Sequence, residues 1–159
     1  MDLDSFASLA VFLLLSLLVA ATGILFRPGR WYETLQKPSW TPPNRAFPII
    51  WTVLYVMIAV SGWLVYNRVG LATWPFTAFA VQLVLNAAWS PLFFGIRRPA
   101  LALVDILLLW CAIVWTIVLF AGVSAVAAWL LVPYLVWVSI AAALNLSVWT
   151  RNPGAFATA

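Results

Sequence analysis

Histidine is absent from this chain, and Cys111 is its single cysteine. Without imidazole and with one thiol, a chain cannot assemble a His/Cys metal site, a haem-ligating histidine, a Ser–His–Asp triad or an internal disulfide. No metal site is therefore expected. Charge is the second shortage. Only 8% of the 159 residues are Asp, Glu, Lys or Arg, against roughly 25% in a soluble domain. So little charge implies a bilayer as solvent. The net charge of +4 comes from eight basic residues against four acidic ones. No basic cluster is interleaved with exposed aromatics, so this balance reads as membrane topology and not as a nucleic-acid footprint. No helix carries GxxxG, and no small-residue motif marks an oligomer interface.

What is present is apolar and aromatic: 66% of residues are hydrophobic, 16% are aromatic, and eleven are tryptophan. A helix needs about 20 apolar residues to cross the hydrocarbon core. Five runs meet that length: 3–26, 47–67, 74–95, 100–120 and 125–149. The fold class is all-α, a five-helix transmembrane bundle in one domain. The first run is preceded by Asp2 and includes Asp4, without a basic n-region. Its apolar stretch is too long for a signal-peptide core, so it reads as a span. Five spans place the termini on opposite faces. Arg27, Arg30, Lys37, Arg45, Arg97, Arg98 and Arg151 fall on one face and Arg68 alone on the other. Basic residues collect on the cytoplasmic side, so the C-terminus is expected inside and the N-terminus outside. The loop 27–46 is rich in Pro and Trp, which makes it stiff. Trp31 and Trp40 either cover the bundle as a lid or sit in the interfacial aromatic belt.

Polar groups inside spans point to function because the bilayer penalises them. Gln82, Asn86, Trp89 and Ser90 share one face of the third span. Gln82 is expected as amide glue between helices, whereas Asn86 beside Trp89 serves equally as glue or as a ligand contact. Asp105 is the one carboxylate well inside a span. It could relay protons or pair with a cationic substrate, but its shallow depth favours a hydrogen bond or an ion pair with Arg97 or Arg98. In the fifth span Trp129, Pro133, Trp137 and Ala141 form a stripe in steps of four. Pro133 removes a helix hydrogen bond and is expected to bend the helix. An indole above a small Ala141 leaves room for a planar molecule, or simply for close helix packing.

Several of these features fall into one ordered series. The loop reads Trp31-Tyr32, Leu35, Lys37-Pro38-Ser39-Trp40 and Pro42-Pro43, and Trp51, Leu54 and Tyr55 follow in span two. Span three reads Gln82-Leu83, Asn86, Trp89-Ser90-Pro91 and Phe93-Phe94-Gly95. Asp105 comes next, then Trp129, Pro133-Tyr134, Trp137 and Leu144-Asn145. The series resembles the translocator protein family, also called tryptophan-rich sensory proteins. The resemblance implies a five-helix bundle, usually a homodimer, that binds porphyrins such as protoporphyrin IX and is tied to tetrapyrrole regulation and stress response. It implies ligand contacts at Trp31, Trp40, Trp51, Tyr55, Asn86, Trp89, Trp137 and Ala141. It matches Trp31 and Trp137 to two tryptophans linked to light-dependent porphyrin breakdown, the only catalytic candidates. The porphyrin would be ligand, not cofactor.

The family's C-terminal cholesterol pattern needs a Tyr, and the run Leu144-Asn145-Leu146-Ser147-Val148-Trp149-Thr150-Arg151 has none, so sterol binding there is not expected. Seven Arg against one Lys fit a GC-rich bacterium, and the bacterial cell membrane is the expected location. Three functions fit these residues: a porphyrin-binding sensor or carrier, a light-dependent porphyrin-degrading enzyme, and a proton-coupled exporter using Asp105. No general base is identifiable, which disfavours ordinary acid–base catalysis but not chemistry driven by a light-absorbing ligand.

Overall fold

The structure is a computed structural model that describes residues 3–71 and 74–156. Five long helices carry the chain: α1 Leu3–Leu25, α3 Ala46–Val69, α4 Trp74–Ser90, α5 Pro99–Ala121 and α6 Ala125–Arg151. A short helix, α2 Arg30–Thr34, lies in the loop between α1 and α3, and no strand occurs among the described residues. Each long helix, with α4 continued to Gly95, is long and apolar enough to cross a membrane. The protein is an integral, multi-pass membrane protein.

Helix contacts run α1–α3, α3–α6, α6–α5, α5–α4 and α4–α1. The helices thus close into a ring. Apolar side chains do not distinguish lipid from protein interior, so Leu14, Leu17, Leu18, Val84 and Val118 face outward at more than half exposure. The polar side chains Ser61, Gln82, Asn86, Asp105, Thr116 and Asn145 are instead buried. Hydrocarbon offers them no hydrogen bonds, and that penalty turns them inward. On α1 the seam is Phe12, Ser16 and Val19, spaced by four and three as one helix face requires.

The end of the ring away from the loop is closed by phenylalanine. Phe79 stacks on Phe120 at 5.7 Å, and Phe12 meets Phe76 and Phe79 at about 6 Å. Gly62 of α3 permits this approach, since a Cβ there would lie 2.8 Å from Phe79 and 2.9 Å from Phe12.

At the loop end α4 does not simply stop. Pro91 lacks an N–H for the next rung, and residues Pro91–Gly95 continue as one widened π turn, with Ile96 N–H donating to Pro91 O at 2.9 Å. Such turns relieve an interrupted ladder and recur at functional sites. The turn ends when Arg98 N–H reaches back to Leu92 O at 3.0 Å, with Arg97 at φ 56°. This is a Schellman-type stop, whose left-handed position is ordinarily glycine.

Candidate functional site

Three side chains from three helices are joined across the ring. Tyr55 Oη of α3 donates to Asn86 Oδ1 of α4 at 2.9 Å, and Asn86 Nδ2 donates to Tyr134 Oη of α6 at 2.7 Å. Tyr134 is fully buried and Asn86 nearly so. On the loop side of this string Trp51 stacks on Tyr55 at 5.3 Å and meets Tyr134 edge-on at 6.1 Å. Phe47 packs edge-on against Trp137 at 5.6 Å, and Ala141, one turn beyond Trp137, packs on the same cluster. Trp51, Tyr55, Asn86, Trp137 and Ala141 therefore belong to one aromatic body inside the ring.

A second hydrogen-bonded set lies nearer the loop. Trp89 Nε1 donates to Asn145 Oδ1 at 3.2 Å, and Asn145 Nδ2 donates to Pro99 O at 2.9 Å. One amide thus ties α4, α6 and the start of α5. Trp89 also stacks on Phe93 at 5.1 Å and contacts both hydrophobic clusters of the bundle. It links the interior to the loop.

The loop is fastened over this end. Leu35 is buried with Phe93, Ala102 and Val148. Gln36 N–H donates to Asn152 Oδ1 at 2.8 Å, and Asn152 Nδ2 donates back to Gln36 O at 2.9 Å and to Val148 O at 2.7 Å. The side chain of Asn152 pairs with the loop backbone as a neighbouring strand would. Trp31 packs edge-on against Phe93 at 6.3 Å and Phe156 at 5.8 Å, and the Arg97 guanidinium lies 5.3 Å over its ring. Lys37 lies 4.6 Å over the Tyr32 ring. Burial raises the Tyr32 phenol above its ordinary value, so the lysine meets a neutral ring and not a phenolate.

The two loop tryptophans differ. Trp31 is packed into the lid, whereas Trp40 is 52% exposed and lies outside both clusters. Trp31 and Trp137 are not brought together either: Trp31 packs in the loop-side cluster and Trp137 in the interior one. Asp105 is buried, and its Oδ2 has no partner among the described residues. Arg97, one of its expected partners, is turned onto Trp31 instead. Gln82, the expected amide glue, is 1% exposed with neither amide atom hydrogen-bonded.

Tyr134, Asn145, Asn152 and Arg97 join this assembly without being among the ligand contacts expected from sequence. Tyr134 had a signal, since it lies three residues before Trp137 and so faces the same way. Asn152 and Arg97 had none, because each acts through contacts with a segment far away in the chain.

Among the described residues no three His, Cys, Asp or Glu side chains lie together. The groups available to a ligand are ring faces, phenols, an amide and the Trp137 indole N–H, which is enclosed without a partner. Two apolar grooves run along the seams between helices. One of ≈ 700 Å³ lies between α1 and α4, and one of ≈ 280 Å³ between α3 and α6. The smaller one is lined in part by Pro133 and Trp137. Phe47 and Trp51, both partly buried, and the buried Trp137 pack together in this interior.

Five spanning helices around an aromatic, amide-bearing interior, with a tryptophan loop packed against one end, define a multi-pass helical membrane protein. The family model described as TspO/MBR matches residues 8–150, and the chain belongs to that family. It is 42% identical over 153 residues to protein CrtK of Rhodobacter capsulatus, covering 91% of this chain and 92% of that protein. It is 44% identical over 156 residues to the tryptophan-rich protein TspO of Chlorobaculum tepidum, covering 92% and 96%. It is 43% identical over 129 residues to the translocator protein of Homo sapiens, covering 79% and 76%.

Proposed function

We propose that this chain is a membrane receptor or carrier for flat hydrophobic ligands of the porphyrin class, acting in tetrapyrrole sensing. One observation carries the proposal: an interior lined by indole and phenol rings, crossed by the Tyr55–Asn86–Tyr134 string, beside an enclosed Trp137 N–H without an acceptor among the described residues. Ring faces take a planar guest by offset stacking, and a few fixed donors orient it. Relatives named as a sensory protein and as translocator proteins agree with it. In this reading the porphyrin is ligand and not cofactor, the chain works as a homodimer in the bacterial cell membrane, and the lid faces the cytoplasm.

With no histidine to ligate iron, metal-free protoporphyrin IX should bind at least as well as haem. Binding should quench tryptophan fluorescence, and Trp137→Ala should weaken it by about two- to tenfold, the worth of one aromatic contact beyond area burial. Markedly tighter haem binding, or unchanged affinity in Trp137→Ala, would remove this site from consideration. The same samples test the degrading enzyme. Light-driven loss of porphyrin absorbance that stops in Trp31→Phe and Trp137→Phe, while binding persists, would favour catalysis.

A second reading, a proton-coupled exporter, draws on the buried Asp105 Oδ2, which has no partner among the described residues. The receptor reading expects Asp105→Asn to keep porphyrin affinity. Loss of proton-dependent efflux of a lipophilic cation in that variant would put the exporter first.

A further inference from the structure

Arg97 stands out in the loop-side assembly for its backbone. It occupies the left-handed position of a helix stop at φ 56°, the one non-glycine residue with positive φ among the described residues. Glycine takes that position without steric cost. Strained backbone of this kind persists where a side chain is needed and the surroundings hold it. The side chain is then used in a specific way: its guanidinium lies 5.3 Å over the Trp31 ring. A guanidinium presents five N–H donors in a planar fork that matches a carboxylate in a bidentate pair. Arg97 is exposed, and no carboxylate of the described residues pairs with it. Glu33 is the only acidic residue of the lid face, against seven basic ones. Trp31 in turn packs on Phe93, and Phe93 stacks on Trp89, so an unbroken run of rings leads from Arg97 into the bundle.

We propose that Arg97 is the anion-recognition residue of this site, receiving a carboxylate of a planar amphiphilic ligand at the lid while the ring system faces the tryptophans. The proposal rests on the reading of the interior as a receptor for planar ligands. It adds that the preferred ligand is an acid and not a neutral ring of the same shape. An anionic lipid headgroup carries the same chemistry, and the test separates the two.

The experiment compares protoporphyrin IX with its dimethyl ester, read by tryptophan quenching in phosphatidylcholine nanodiscs. The wild type should prefer the free acid by about two- to tenfold, the net worth of one ordinary hydrogen bond. Arg97→Gly relieves the strained position and should fold at least as well, as its thermal midpoint would report. It should bind acid and ester within about twofold of each other, whereas Arg97→Lys should keep part of the preference as a point charge. Equal affinity of the two compounds for the wild type, or a full preference surviving in Arg97→Gly, would overturn the assignment while leaving the receptor reading intact. Binding of neither compound would end both. Loss of the wild-type preference when phosphatidylglycerol is added would assign Arg97 to lipid headgroups and overturn the proposal.

Discussion

Asn86 accepts one hydrogen bond and donates another across the ring, while Gln82, one helical turn earlier, is equally buried and makes none. The two amides therefore respond oppositely to replacement. Asn86→Leu leaves the buried Tyr134 and the partly buried Tyr55 phenols without a partner and should lower stability by about 1 kcal/mol, within the range for interhelical hydrogen bonds in membranes. Gln82→Met removes an amide whose desolvation nothing offsets, and keeps its volume. Its thermal midpoint in detergent should equal or exceed that of the wild type. A drop in Gln82→Met as large as that in Asn86→Leu would mean that Gln82 holds an internal water or ligand.

Element by element, the loop and α6 depend on each other through one side chain. Asn152→Ala deletes three hydrogen bonds at once, two of them to Gln36. The buried Leu35 anchor should remain. Hydrogen exchange should accelerate at the Gln36 amide and its neighbours in the loop, with little change in α5. If the loop amides exchange unchanged, Asn152 is not what fastens the lid. At the opposite end the α1–α3 contact depends on Gly62. Gly62→Ala would press a methyl group into Phe12 and Phe79, costing about 1–3 kcal/mol as overpacking does. Thermal unfolding in detergent measures it, and a neutral result would mean that the two rings move freely.

For the molecule as a whole, the charge asymmetry predicts an orientation with the loop and C-terminus in the cytoplasm. Seven basic residues lie on the lid face and one, Arg68, on the other. Arg68 donates to Val123 O across the short turns there. On a Cys111→Ser background, Ser39→Cys and Gly154→Cys should resist an impermeant thiol reagent added to intact cells, whereas Leu71→Cys should react. All three positions are exposed. Labelling of Ser39→Cys or Gly154→Cys from outside would invert the topology.

Composition and pattern alone were enough for the membrane class, the five spans, the charge asymmetry and the family. Each rests on local quantities: length of apolar run, position of charge, order of motifs. A bilayer reads those quantities almost directly, because its thickness and its intolerance of charge act on every segment separately. Pairing is another matter. Gln82 and Asn86 share a face and a side-chain type, yet only Asn86 meets phenols from two other helices. Trp31 and Trp40 are both loop tryptophans, yet only Trp31 is packed. Arg97 is one arginine among seven until the end of the π turn sets it over a ring. Hydrocarbon is as apolar as leucine, so burial pattern says little about which helices adjoin. The order of the ring, and with it which polar group finds a partner, was decided only by side chains meeting in three dimensions.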